Sequence, residues 1–403
     1  MNNISTIHDC YGCGVCATVC AHKAIVIRLN KEGFYEPSVP DMSACTDCGL
    51  CREVCAYLHD ELSQQNPAVG SYAVWSRDSQ VRRKCSSGGV GFELGRLLLS
   101  RGYKVCGVRY NAELARAEHY VATTKEELVA SIGSKYIQSY TVDGFRVIDR
   151  KQRYLVTGTP CQIDSFRRYV RKFRIEDNFV LMDFFCHGVP SMWVWKKYLQ
   201  EVEKATGKVC YVSWRNKTTG WHDSWSMGIG GAEEKVDWHD SYHLLIRGKK
   251  TSYASRFSRG DSFFTLFLSD ACLGRACYDH CKYKLARSAA DIRIGDLWGS
   301  AYAEDEEGVS AVLTFTSKGE ELLESCGCER VAHPLEVVAE GQMKDSPRKP
   351  FIRGRLLSLL RDENVPIAQA IRAYKRYRYL KLACQGLRHP AKMARKVMSK
   401  LKR

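Results

Sequence analysis

Eight of the chain's nineteen cysteines fall within its first fifty-five residues, in two copies of one pattern, and no other feature restricts the fold as much. The first copy reads Cys10-Tyr-Gly-Cys13-Gly-Val-Cys16-Ala-Thr-Val-Cys20, the second Cys45-Thr-Asp-Cys48-Gly-Leu-Cys51-Arg-Glu-Val-Cys55. The spacing C-x2-C-x2-C-x3-C wraps three thiolates round one face of an iron–sulfur cubane. Gly12, Gly14 and Gly49 are small enough to let backbone amides approach the sulfides. Zinc takes four ligands, commonly as two C-x2-C pairs, and leaves the third and fourth cysteines of each run unexplained. Disulfides need an oxidising compartment. Residues Met1 to Asp9 carry neither the basic nor the apolar region of a secretory signal. The expected setting is a reducing cytoplasm.

This spacing is similar to that of bacterial two-cluster ferredoxins, in which the fourth cysteine starts a short helix and crosses to the other cluster. The resemblance assigns Cys10, Cys13, Cys16 and Cys55 to one [4Fe-4S] cluster, and Cys45, Cys48, Cys51 and Cys20 to a second. Ala21 and Ala56 stand where ferredoxins usually place proline, which alters the local turn and not the ligands. Between the runs, residues 24–35 alternate and turn at Gly33, as a hairpin does.

A length of 403 residues exceeds a ferredoxin several-fold. Residues 1–62 form the expected ferredoxin-like domain and 60–67 a polar linker. From 68 to 345 strand and helix alternate, which predicts an α/β domain. Its strands include Lys104–Tyr110, Arg153–Thr157, Asn178–Phe185, Asp291–Trp298 and Val309–Thr316, with helices from Val90, Ile163 and Met192. Residues 207–260, rich in Trp and Gly, predict a small β subdomain. The fold class is therefore mixed α+β and α/β. No apolar stretch approaches the ~18 residues that cross a bilayer. The formal charge of +16 is uneven: residues 351–403 hold fifteen Lys and Arg against two acids. That tail, with Ile352, Leu356, Leu357, Leu360, Ile367 and Ile371 at helical spacings, predicts basic helices that either contact a membrane surface or pack on the body. No motif points to nucleic acid.

Further stretches carry chemistry. Cys85-Ser86-Ser87-Gly88-Gly89 opens a helix whose positive end suits phosphate; taken alone it reads as an ordinary N-cap with Ser87 as the cap. Gly133-Ser134-Lys135-Tyr136-Ile137-Gln138 sets a cation beside an aromatic ring. Cys161 in Gly158-Thr159-Pro160-Cys161 and Cys186 in Cys186-His187-Gly188 each follow a strand, in a loop at one sheet edge. Cys277 and Cys281 come in a later tight run, and Asp296 lies in Gly-Asp-Leu-Trp-Gly.

In this order, and with the cysteine-rich head, these segments resemble the coenzyme F420 hydrogenase/dehydrogenase beta-subunit family over about residues 5–325. The bacterial members associated with surface-polysaccharide biosynthesis look most similar. The resemblance implies an iron–sulfur flavoprotein passing electrons between FAD and clusters. It makes Ser86, Ser87, Gly88, Gly89, Ser134, Lys135, Tyr136, Gln138, Gly158 and Thr159 the expected flavin contacts. It groups Cys161, Cys186, Cys277 and Cys281 as ligands of a third [4Fe-4S] cluster. Cys272 is a competing ligand, since the family commonly spaces the last pair C-x2-C and this chain has three intervening residues. His187 and Asp296 are the candidate acid/base groups. The expected partners are a ferredoxin or other redox protein and a small substrate, such as a sugar intermediate. The alternative is a non-catalytic electron-transfer subunit of a larger complex.

Overall fold

The computed structural model describes residues 1–64, 67–218, 220–222, 226–230 and 252–388. In the head, α1 (Val15–Val19) and α2 (Leu50–Glu53) each start from a left-handed glycine, Gly14 at φ +74° and Gly49 at φ +79°. Between them β1 (Val26–Leu29) and β2 (Tyr35–Ser38) form an antiparallel hairpin with Arg28 opposite Glu36. The third cysteine of each run, Cys16 or Cys51, lies inside the helix, and the fourth, Cys20 or Cys55, follows it. The expected helix start at the fourth cysteine is thus corrected. Only glycine turns the chain through positive φ without strain, and it does so one cysteine earlier.

The body is built on nine strands. In chain order these are β3 (Gly70–Ser76), β4 (Lys104–Asn111), β5 (Arg116–Ala122), β6 (Ser139–Tyr140), β7 (Tyr154–Thr157), β8 (Phe179–Phe184), and then, after a separate small sheet of β9 (Tyr211–Ser213), β10 (Ser226–Gly230) and β11 (Tyr253–Arg256), the strands β12 (Ile292–Asp296), β13 (Ser310–Thr314) and β14 (Cys328–Ala332). The large sheet has the order β14-β3-β13-β12-β8-β7-β4-β5-β6. Its centre, β12-β8-β7-β4, is parallel, and antiparallel strands flank it. Parallel strands are buried on both faces. Tyr154, Val156, Phe179 and Leu181 point one way, with Phe166 and Tyr169. Leu155, Val180 and Met182 point the other, with Leu94 and Leu98.

Helix α3 (Val90–Ser100) starts after Gly89 at φ +89° and covers the second face. Helix α4 (Pro160–Lys172) covers the first, with proline in its first turn and a Thr159/Gln162 capping box. The helix expected from Ile163 therefore begins three residues sooner, and Cys161 lies in its first turn instead of a loop. The head lies on α4. Ile4, Val15, Val19 and Val54 share one apolar core with Phe145, Phe166 and Tyr169.

Helices α5 (Met192–Thr206), α6 (Arg275–Asp279), α7 (Arg353–Arg361) and α8 (Ile367–Arg388) follow. Leu356, Leu357, Leu360, Ile367, Ala370 and Ile371 pack against Trp195 and Tyr198 of α5, so this part of the tail belongs to the body. Beyond Ile371 the basic residues Arg372, Lys375, Arg376, Arg378 and Lys381 are exposed and spread round α8. Among the described residues, no helix is long and apolar enough to cross a membrane. Of the expected β subdomain, residues 231–251 lie outside the described residues, as does the tail from 389.

Candidate functional site

One cavity is lined by Cys10, Cys13, Cys16 and Cys55, with Ile4, Ile27, Pro37 and Tyr57 around them. The Gly12 amide points at Cys10 Sγ, 3.4 Å away. Burial pushes the thiols of Cys10, Cys13 and Cys16 up, and that of Cys55 to about 12. Mutual repulsion adds to this: Cys13, Cys10 and Cys55 all oppose ionisation of Cys16. Four desolvated thiolates here would need bound cations to offset their charge, and the donor set fits an iron–sulfur cluster.

The second set lies further out. Cys45 and Cys48 both raise the thiol of Cys51, though burial does so more. Cys48 is exposed, Cys45 and Cys20 are half-buried, and Asn3 Nδ2 lies 3.6 Å from Cys45 Sγ.

The third set gathers from three segments. Cys161 comes from α4, Cys186 follows β8, Cys277 lies in α6 and Cys281 just past it. Burial raises Cys161 well above the ordinary thiol range, and Cys186, Cys13 and Cys277 reinforce the shift. Cys277 is pushed up to about 12 by burial, then by Cys186 and Cys281. The segments are laced together, Gly274 N donating to Val189 O at 3.1 Å and Lys284 Nζ to Cys186 O at 2.8 Å. The competing Cys272 is buried in the apolar core around α5. Among the described residues, no three His, Cys, Asp or Glu converge closely enough for a single metal ion; a cubane spreads its ligands wider than one ion does.

Bridges join the first set to the third. Ser165 Oγ lies 3.3 Å from Cys13 Sγ and accepts from Ala56 N at 3.0 Å. The Tyr11 hydroxyl donates to His280 O at 2.6 Å. Lys282 Nζ donates to Ala56 O and to Asp60 Oδ1, each at 2.6 Å. Sequence reasoning missed all three residues, whose partners lie more than a hundred positions away.

The expected flavin contacts divide. Ser86 Oγ accepts from Ser134 N at 3.0 Å, which joins two of the segments. Ser87 Oγ lies 2.9 Å from Val309 O, and Gly88 N donates to Ser310 Oγ at 3.0 Å, so both hold the turn against β13. Ser87 is not the helix cap; Gly89 occupies that position. Lys135 Nζ donates to the carbonyls of Ser131 and Ile132, each at 2.9 Å, while burial pulls its pKa down to about 7. Gln138 accepts from Tyr35 N at 3.0 Å and donates to Tyr11 O at 3.1 Å, which commits it to the head. Gly158 N donates to Met182 O, and Thr159 Oγ1 lies 3.2 Å from Cys161 Sγ, on the side of the third cysteine set.

Tyr136 stacks on Phe267 at 4.9 Å, and His187 packs on the same ring at 4.9 Å. His187 Nε2 lies 2.7 Å from Asp270 Oδ1. Asp296, at the end of β12, is paired with buried Arg215. Lys217 Nζ donates to Arg82 O at 2.6 Å and to Ser87 O at 2.5 Å. Burial lowers its pKa to about 8, opposed by Cys85 and Asp296. Arg215 and Lys217 are marked by no motif, and Lys217 ties the Ser86–Gly89 turn to its own segment through Ser87 O.

Residues 71–144 match the family model described as coenzyme F420 hydrogenase/dehydrogenase, beta subunit N-term, and residues 151–333 the corresponding C terminus. Residues 9–58 match a 4Fe-4S dicluster domain. Comparison with curated proteins gives no match. Among solved structures, a chain of the F420-reducing [NiFe] hydrogenase complex from Methanosarcina barkeri, in a xenon-derivatization study, aligns with TM-score 0.44 and 16% identity, over 74% of this chain and 90% of that one.

Proposed function

The chain belongs to the coenzyme F420 hydrogenase/dehydrogenase beta-subunit family, and from that premise we propose that it is an iron–sulfur flavoprotein oxidoreductase, exchanging electrons with a ferredoxin-like carrier at its head and with a small substrate in its body. The dicluster head and the oxidoreductase kind follow from the family; the flavin, the third cluster and the substrate are the proposal. The observation that carries it is the contact of Ser165, on the helix of Cys161, with Cys13 of the head. It joins the inner cysteine set of the head to the helix that carries Cys161.

In this reading Cys10, Cys13, Cys16 and Cys55 hold the inner head cluster, and Cys20, Cys45, Cys48 and Cys51 the outer. Cys161, Cys186, Cys277 and Cys281 hold the third. The turn at the positive end of α3 suits the phosphates of FAD, with Ser86, Gly89, Ser134 and Tyr136 as the neighbouring contacts. When bound, the clusters supply single-electron transfer, and the flavin the conversion between single electrons and a hydride. His187, whose Nε2 lies close to Asp270, is placed to hold the proton that accompanies the substrate's change. For the substrate itself, the resemblance to polysaccharide-associated members favours a sugar intermediate.

Anaerobic purification with iron, sulfide and flavin quantitation tests the reading. About twelve irons and one flavin per chain are expected, followed by reoxidation on adding sugar substrates. About eight irons would remove the third cluster, and absence of flavin would remove the catalytic role. The description of the family as a beta subunit favours a second reading, an electron-transfer subunit, for which reoxidation would need a partner protein.

A further inference from the structure

Helix α4 carries Cys161 toward the sheet edge and, one turn later, Ser165 into the head. Ser165 is fully buried. Its Oγ lies 3.3 Å from Cys13 Sγ and 3.0 Å from the amide of Ala56, the residue after Cys55. The direction of each bond follows from the groups. An amide N–H only donates, so the hydroxyl oxygen accepts from Ala56. A cysteine sulfur bound to iron carries no proton, so the hydroxyl proton lies between Ser165 and Cys13. A body residue thus presents a donor to a ligand sulfur of a cluster held by the head.

We propose that Ser165 sets the reduction potential of the inner head cluster, making it easier to reduce than its burial alone would allow. Reduction adds negative charge, which burial opposes. Hydrogen bonds to the sulfurs delocalise that charge and raise the potential. The effect favours residence of the electron on the cluster that faces Cys161 and disfavours it on the exposed outer one. The inference rests on the assignment of Cys10, Cys13, Cys16 and Cys55 to one cluster.

The test is an EPR-monitored redox titration of the full-length protein with its clusters. In Ser165→Ala the reduced-to-oxidised ratio of the inner cluster, at fixed potential, should fall roughly tenfold, the worth of a hydrogen bond to a charged group. The outer cluster should not move. Ser165→Thr, which keeps the hydroxyl, should retain the wild-type potential, and Ser165→Val, of the same shape without it, should follow Ala. Cys55→Ser checks the ligand assignment separately, because it must alter the same signal if that assignment holds. An unmoved potential in Ala and Val overturns the proposal, as does an equal shift in Thr. Loss of about four irons in Ala and Val, with Thr intact, would also overturn it, by showing that the hydroxyl only holds the loop.

Discussion

Arg293 is where one substitution should do most damage to the body. Arg293 and Asp183 are neighbours in register on β12 and β8, and both side chains are completely buried. Nε and Nη2 grip the two carboxylate oxygens at 2.7 Å each. The remaining donors reach Tyr283 O at 2.9 Å, Arg287 O at 3.0 Å and Leu285 O. Arg293→Met would strand a buried carboxylate, which costs about 3–5 kcal/mol. Three orphaned carbonyls add about 1 kcal/mol each where the loop cannot turn them to water. The sum, about 6–8 kcal/mol, rivals the whole stability of a typical domain. The loop affected begins just after Cys281, and its Lys282 and Lys284 hold the head and the Cys186 carbonyl. Pairing the change with Asp183→Leu removes the stranded charge and should recover much of the stability, but not the loop. Urea unfolding followed by tryptophan fluorescence, with iron counted per chain, should therefore show stability and iron content parting company in the double variant. A single variant losing less than about 1 kcal/mol, or a double variant with full iron, would refute the reasoning.

Gly14→Ala should destabilise far more than Gly133→Ala. Both glycines have positive φ, but a Cβ at 14 would overlap Thr141 Oγ1 while one at 133 meets nothing within 4 Å; the two urea midpoints separate the contact from the backbone cost of about 1–2 kcal/mol. Lys135 gives a pH dependence. With its pKa lowered from 10.5 to about 7, the unfolded chain binds a proton that the folded chain lacks between those values. Stability should therefore gain a positive slope across that window, which Lys135→Met would flatten in unfolding measured against pH. Finally, Cys20→Ser should damage the outer cluster and spare the inner one, and site-resolved spectra with the opposite loss would undo the crossed assignment.

The head was legible because ligand spacing is local: each run carries its C-x2-C-x2-C-x3-C pattern whatever the rest of the chain does. Strands β7 and β8 were legible as largely apolar runs, as burial on both faces favours, with Asp183 the exception in β8. Strands β5 and β14 were not, because Arg116, Glu118, Glu329 and Arg330 break their apolar pattern and pair with acids or bases nearby in space. The start of α4 was misplaced for a different reason. Thr159-Pro160 looks like a loop in isolation, and becomes a helix start only when Gln162 is seen to complete the capping box. Lys135 and Gln138 show the limit of reading residue types. In the fold Lys135 meets backbone carbonyls and Gln138 meets the head, contacts that only the tertiary structure identifies.

The joint between head and body follows from what electron transfer demands of distance. A transfer rate falls steeply with separation, so a head on a loose linker would conduct only in its rare close approaches. Here the head's apolar residues continue into the core under α4, and hydrogen bonds to ligand-bearing segments fix the remaining freedom. The same helix then acts at both ends of the gap. Its N-terminal turn holds Cys161, where the positive end of a thirteen-residue dipole favours negative charge. Its second turn brings Ser165 to Cys13. Rotating or shifting α4 would move both contacts together, so the two cysteine sets are held at a separation that one rigid element defines.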